Sequence, residues 1–171
     1  GARNIAVRNC TFQGTDVGLR FKSSRGRGGV VEKIFIDGIT MSGIGREGIL
    51  FDMLYDASPA VAPGANRRIP EFRDIQIRNV EGSGARTAIS ITGLEEMPVK
   101  GIVFEEITIA AERGLVCTDA EDLRFTNVRL LPGSGPVGVL NRSRNIAFEK
   151  CPVPAGADPV LRIEGPASTG I

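Results

Sequence analysis

A short alternating segment that recurs along the chain most constrains the fold. Each copy begins with a polar residue or Gly, places aliphatic residues or Phe at alternate positions, and ends on an aliphatic residue or Cys. The copies are Asn4–Cys10, Lys33–Ile39, Asp74–Val80, Gly101–Ile107, Asp122–Val128 and Asn145–Cys151. Successive copies start 29, 41, 27, 21 and 23 residues apart. Apart from the longest step, these spacings are typical of a solenoid, in which each coil is one repeat.

The alternation within each copy predicts β-strands, because a period of two places every second side chain on one buried face. A second short strand is predicted after most copies, at Gly18–Lys22, Gly48–Phe51, Ala88–Ile91 and Val137–Leu140. A single coil cannot bury its inward side chains, so equivalent strands must stack in parallel, about 4.8 Å apart. The prediction is an all-β, right-handed, single-stranded parallel β-helix of about six coils.

A leucine-rich repeat is the main architectural alternative, because its period overlaps that of this chain. That repeat requires Leu at several fixed positions, whereas the inward positions here are mostly Ile, Val and Phe. The composition therefore favours the β-helix.

The domain organisation follows from the spacing of the copies. We expect residues 1–171 to form a single, partial β-helix domain, with a loop inserted at 56–73 where one step is long. The chain opens directly on the strand-like segment Asn4–Arg8, so we expect a solenoid truncated at its N-terminal end. A first coil without a neighbour exposes strand edges and apolar core. Self-association through this N-terminal coil is therefore a further expectation.

Charge and composition exclude several functions. The chain has 21 basic and 20 acidic residues and a net charge of +1, which gives no general attraction for nucleic acid or anionic membranes. No apolar stretch is long enough for a transmembrane helix. The absence of His excludes a His-containing zinc site and a histidine base within the chain. We therefore expect no metal, no cofactor, no nucleic acid and no membrane among its partners.

The three cysteines, Cys10, Cys117 and Cys151, have no metal-ligand spacing. Cys10 and Cys151 share one repeat position five coils apart, which separates them by about 24 Å. Because a disulfide requires Cα atoms within about 7 Å, no bridge is expected between them. Asn9, Asn79 and Asn127 also share a repeat position, and since Asn tolerates the left-handed conformation they predict a ladder of turns.

Two basic residues stand out on the first of the short strands. Alternation places Leu19 and Phe21 inward, so Arg20 and Lys22 project from the outer face two residues apart. Two cations on a rigid strand form a site for a carboxylate, which a guanidinium can bind with two hydrogen bonds. On composition alone, a solvated strand face that carries basic residues by chance is the favoured interpretation.

The residues around this strand resemble a known family. The run from Asn9 to Gly29, N-C-T-F-Q-G-T-D-V-G-L-R-F-K followed by G-R-G-G, resembles the stretch around the R-I-K motif of polygalacturonases in glycoside hydrolase family 28, with Phe21 in place of Ile. The resemblance implies that Arg20 and Lys22 bind the carboxylate of a galacturonate beside the scissile bond. It also implies that Tyr55, 33 residues past Lys22, contributes to the same site. A half-buried packing role remains the alternative for Tyr55.

The family's upstream motifs N-T-D, D-D and G-H-G do not occur in this sequence. Acidic neighbours such as Glu95–Glu96, Glu105–Glu106 and Glu121–Asp122 are interpreted as solvated faces and turns. The resemblance thus implies the C-terminal part of a pectin-degrading glycosidase that hydrolyses α-1,4-galacturonosyl linkages with inversion, here without catalytic residues and inactive alone. Galacturonan or pectin would be its partner, and the protein would be secreted or periplasmic. A non-catalytic β-helix that binds carbohydrate or serves as a scaffold is the alternative.

Overall fold

The structure is a computed structural model that describes residues 1–55 and 68–171. Within those residues it contains eleven strands: β1 (Ala2–Gln13), β2 (Leu19–Lys22), β3 (Val30–Ser42), β4 (Glu47–Asp52), β5 (Glu71–Phe72), β6 (Ile75–Thr92), β7 (Val99–Thr118), β8 (Ala120–Pro132), β9 (Gly138–Asn141), β10 (Arg144–Glu149) and β11 (Leu161–Glu164). The same residues include no helix, and hence none that could cross a membrane.

The strands pair in parallel and form two ladders. Six of them stack in the order β1-β3-β6-β7-β8-β10, and each contains all or most of one of the six predicted copies. On the second ladder β2 pairs with β4, which pairs with the C-terminal half of β6. That ladder continues through the C-terminal half of β7 to β9 and β11. The predicted parallel β-helix, with six stacked layers among the described residues, is confirmed.

The register aligns the copies position by position. One inward column runs through Ile5, Ile34, Ile75, Ile102, Leu123 and Ile146, each paired with the next. The last five members are at most 5% exposed, whereas Ile5 in the outermost layer is 43% exposed. Identical positions therefore differ in burial only through their neighbours, as expected when stacking creates the core.

Two positions of every repeat copy are in the left-handed conformation. The first position of every copy has a φ between 51° and 62°, at Asn4, Lys33, Asp74, Gly101, Asp122 and Asn145. The sixth position has a φ between 50° and 73°, at Asn9, Gly38, Asn79, Glu106, Asn127 and Lys150. The left-handed turns predicted at the three asparagines are confirmed. Asn79 donates to Asp37 of the preceding coil at 2.7 Å, and Asn127 donates likewise to Glu106, so acids rather than other asparagines accept these bonds.

Charged side chains link neighbouring coils on the outer surface. Glu32 lies 3.1 Å from Arg3 of the first coil and 2.8 Å from Arg73 near the start of β6. The hydrogen bond from Arg73 holds the pKa of Glu32 below its ordinary value. Glu121, interpreted above as part of a solvated face, pairs with Arg144 at 2.9 Å. These ion pairs join residues of successive coils across the outer surface.

The two ends of the β-helix differ. Among residues 1–55 and 68–171, β1 pairs only with β3, and a concavity of about 420 Å³ lined by Val7, Phe12 and Leu19 opens beside it. At the other end the C-terminal residues cover β10: Asn145 and Ile146 donate backbone hydrogen bonds to the carbonyls of Thr169 and Gly170 at 3.0 and 3.1 Å.

Two residues of the loop predicted at 56–73 form a strand. Residues 56–67 lie outside the described part, but Glu71–Phe72 forms β5, which pairs with β3, and Phe72 is fully buried in the core.

Cys10, Cys117 and Cys151 are free thiols. Burial raises the pKa of Cys117 to about 12, which keeps this thiol protonated and unreactive.

Candidate carboxylate-binding site

The short strand β2 presents two basic side chains on a rigid support. Its inward residues are anchored in the core: Leu19 is buried, and the ring of Phe21 stacks on Phe51 with centroids 4.4 Å apart and planes within 2°. The alternating residues Arg20 and Lys22 are therefore turned outward, and both are exposed.

Tyr55 lies against both cations. Because β2 and β4 pair in parallel, with Lys22 beside Asp52, the chain that leaves β4 passes close to the end of β2. The Tyr55 ring centroid lies 3.9 Å from Lys22 Nζ and 5.0 Å from Arg20 Cζ. Both distances fall within the range of cation–π attraction. All three residues predicted from the sequence thus lie in one cluster, termed the cation cluster below.

The charge in the cation cluster is not neutralised nearby. Within residues 1–55 and 68–171, no carboxylate forms an ion pair with Arg20 or Lys22. By contrast, Arg25 just beyond β2 binds both carboxylate oxygens of Glu96, at 2.7 and 2.9 Å. Arg25 illustrates what a guanidinium does with a carboxylate in reach, so Arg20 is a cation still able to accept one.

The cation cluster suits an anionic ligand with a planar carboxylate. A guanidinium offers paired donors, an ammonium adds a point charge, and an aromatic ring supplies an apolar surface for a sugar face. Among the described residues no three His, Cys, Asp or Glu side chains are grouped to hold a metal ion. As two exposed cations, Arg20 and Lys22 can bind an anion.

Sequence reasoning missed two contacts near this site. Asp52 accepts a hydrogen bond from the backbone N–H of Leu54 at 2.8 Å and so shapes the turn that leads to Tyr55. An Asp two residues before a turn is a recognisable signal for this bond. The Arg25–Glu96 pair joins residues 71 positions apart, and no local pattern indicates it.

A larger concavity lies elsewhere on the molecule. About 800 Å³ in volume, it follows the left-handed turns at the sixth repeat position and is lined by polar side chains including Asn79, Glu106 and Arg129. None of the three residues of the cation cluster lines it, whereas Arg20 and Lys22 do line the smaller concavity at the open end. The candidate site is therefore chosen for its charge arrangement and not for the volume of the concavity beside it.

Comparison with known proteins relates the chain to plant, fungal and bacterial enzymes. It is 34% identical over 82 residues to a probable endopolygalacturonase of Neosartorya fischeri, which covers 48% of the chain and 21% of that protein. A polygalacturonase of Ralstonia solanacearum is 32% identical over 96 residues, 54% of the chain and 17% of that protein. A probable polygalacturonase of Vitis vinifera is 26% identical over 152 residues, 80% of the chain and 29% of that protein.

The chain therefore spans less than a third of the length of these relatives. No solved structure matches it. The family model of glycosyl hydrolases family 28 matches residues 2–129, well beyond the segment around Arg20 and Lys22 that carries the resemblance in sequence. That match covers most of the chain, including four of the six stacked long strands and most of a fifth, β8. The chain belongs to glycosyl hydrolase family 28.

Proposed function

We propose that this chain supplies the galacturonate-binding part of a polygalacturonase-like enzyme that hydrolyses α-1,4-galacturonosyl linkages in pectin. The observation that carries the proposal is the cation cluster, in which Lys22 and Arg20 lie 3.9 and 5.0 Å from the Tyr55 ring without an acidic partner among the described residues. The names of the relatives support the same substrate class.

The chemistry of the polymer matches the cluster. Galacturonan carries one carboxylate on each sugar, so a cleft that binds it needs cations held where they can contact those carboxylates. Arg20 binds the carboxylate through its paired N–H groups, Lys22 adds its positive charge, and Tyr55 packs against the sugar ring. Because the cations sit on a strand anchored by Leu19 and Phe21, they need little reorganisation when the ligand arrives.

The cleavage step needs more than this cluster. Inverting hydrolysis requires one carboxylic acid to protonate the leaving oxygen and one carboxylate to activate water. We assign both to parts of the enzyme outside these 171 residues, since the sequence has no D-D pair or His. Arg20 and Lys22 then hold the sugar beside the scissile bond, and the isolated chain binds without turnover.

A titration with tri-galacturonate tests the proposal. Tyr55 is the only Tyr and the chain has no Trp, so its intrinsic fluorescence reports on this site alone. We expect saturable binding by calorimetry together with a change in Tyr55 emission, and no binding of the fully methyl-esterified trimer. Arg20→Ala and Lys22→Ala should each weaken binding about 10-fold, the loss of one charge-assisted contact.

Arg162→Ala is the matched control. Arg162 is exposed and occupies the Arg20 column of the same ladder, five layers away. It should leave binding unchanged. Equal affinity for the acid and the ester, or equal losses in all three variants, contradicts a galacturonate site and favours a β-helix that serves as a scaffold.

The open end of the β-helix supports a second part of the proposal, self-association through the first coil. Ile5 is 43% exposed there, and the edge of β1 has no partner among the described residues. Light scattering should show an average mass that rises with concentration, and Ile5→Lys should lower it towards the monomer. A constant monomer mass rules this contact out.

Because pectin is extracellular, we also propose a secreted or periplasmic protein, which fractionation of the source cells tests directly.

A further inference from the structure

The turn after β4 is held by a side chain rather than by the backbone alone. Asp52, the last residue of β4, accepts a hydrogen bond from the N–H of Leu54 through Oδ1 at 2.8 Å. A carboxylate that binds the backbone two residues further on closes a compact turn. Tyr55 is the next residue, so this bond sets the direction in which Tyr55 leaves the strand.

The same bond keeps the charge of Asp52 away from the cation cluster. Asp52 is the register partner of Lys22 on the neighbouring strand, where backbones lie about 4.8 Å apart. Such a cross-strand pair of opposite charge ordinarily forms an ion pair. Within the described residues no ion pair joins Asp52 to Lys22, because the carboxylate faces the Leu54 N–H instead.

The residues that occupy the same repeat position as Asp52 in the other coils differ from it in this respect. Along the second ladder the equivalent positions hold Lys22, Asp52, Thr92, Thr118, Asn141 and Glu164. Asp52 is the member that combines a turn-closing bond with an aromatic residue three positions later. Thr92, one layer on, is followed by Gly93 and Leu94 and has no part in the cation cluster.

We propose that Asp52 is a positioning residue of the carboxylate-binding site, which holds the Tyr55 ring over Lys22 and Arg20 while its own charge is turned onto the backbone. The inference rests on the proposed function for the identity of the ligand, but the position of the Tyr55 ring can be measured without a ligand. Asp52 acts through Tyr55 and does not touch the sugar. The short acceptor geometry, not the negative charge, is what the site requires.

Two substitutions separate geometry from charge. Asp52→Asn keeps a short side-chain acceptor and removes the charge, so it should preserve the Tyr55 position and bind tri-galacturonate at least as tightly as the natural protein. Asp52→Glu keeps the charge but lengthens the side chain, so it should weaken binding about 3- to 10-fold, the range of a lost cation–π arrangement. Thr92→Ala is the control in the same column and should change nothing.

A double mutant shows whether the effect passes through Tyr55. Tyr55→Ala should weaken binding as much as Asp52→Glu, and the combined variant should be no worse than Tyr55→Ala alone. Additive losses overturn the inference, as does an Asp52→Glu protein that binds normally. An Asp52→Asn protein that loses binding also overturns it, since the charge would then be needed.

Tyrosine spectroscopy keeps the test independent of ligand binding. Near-ultraviolet circular dichroism and acrylamide quenching of the single Tyr should be unchanged in Asp52→Asn and altered in Asp52→Glu. If the natural protein binds no galacturonate yet these signals follow the stated pattern, the proposed function fails and the positioning role stands. Identical signals in both variants remove the positioning role whatever the binding result.

Discussion

The first coil and the last coils differ in how far their apolar and charged side chains find partners within the protein. In the inward column, Ile5 is 43% exposed and Ile146 is 2% exposed. On the second ladder, Arg20 has no acidic partner among the described residues, whereas Arg142, which follows β9, binds both oxygens of Asp119 at 2.7 Å. The hydrogen bond and charge of Asp119 raise the pKa of the Arg142 guanidinium further.

The difference separates structural groups from groups available to a ligand. At the C-terminal end Ile146 is covered by the residues that follow it and Arg142 meets a carboxylate of the protein itself, although Ile163 of β11 is 52% exposed. At the open end neither need is met from within the described residues. Unsatisfied positions in an otherwise repetitive fold are therefore where binding, to substrate or to another strand, is to be sought.

The largest expected effect tests the apolar half of the comparison. Ile75→Ala, in the middle of the inward column, leaves a cavity in a fully buried site and should lower the free energy of unfolding by about 2–5 kcal/mol. Ile5→Ala, at the same repeat position, should cost far less because its side chain is already partly in water. Urea denaturation measures both. Equal losses would mean that the open end is packed in solution.

A smaller effect tests the charged half. Arg142→Ala leaves the Asp119 carboxylate, whose side chain is 8% exposed, without its partner, so Tm should fall by a few degrees while tri-galacturonate binding stays unchanged. Arg20→Ala should do the reverse, with binding weakened about 10-fold and Tm unchanged. The two variants are controls for one another. A drop in Tm for Arg20→Ala would assign that side chain a structural role.

The smallest expected effect is on the thermal stability of the protein at acidic pH. Since Arg73 holds the pKa of Glu32 below its ordinary value near 4.5, Glu32 stabilises the fold above that pH. This contribution is lost as the pH falls through the lowered value. Glu32→Gln should therefore show a flatter loss of Tm between neutral and acidic pH. Glu105→Gln, which removes an exposed carboxylate without an ion pair among the described residues, should keep the slope of the natural protein.

Much of the fold was predictable because the alternating pattern recurs in every repeat and so indicates which residues of neighbouring coils pair. The alternation around Ile34 and Ile75 indicates which side chains point inward, and Asn9 or Asn79 marks where the backbone turns left-handed. The cation cluster was predictable only in part. Alternation places Arg20 and Lys22 outward, but the approach of Tyr55 depends on how far the next coil extends.

Contacts between coils could not be predicted in the same way. The partner of Arg25 is 71 residues away and that of Arg142 is 23 residues away, so the coil lengths must be known before such pairs can be assigned. The bond from Leu54 to Asp52 has a local signal, yet its importance appears only when Lys22 is seen on the adjacent strand. Contacts within one turn can be predicted from the sequence, whereas ion pairs between coils can be predicted only when the register of the stacked strands is known.

The open first layer has a consequence for local unfolding. A stack in which each coil contacts only its neighbours frays from an end, so backbone amides of β1 and β2 should exchange with deuterium before those of β6 and β7. Arg20 and Lys22 belong to that first layer and Tyr55 to the second. A sugar held by all three joins the fraying layer to its neighbour, and occupancy of the site would slow exchange at the end of the molecule where it is fastest.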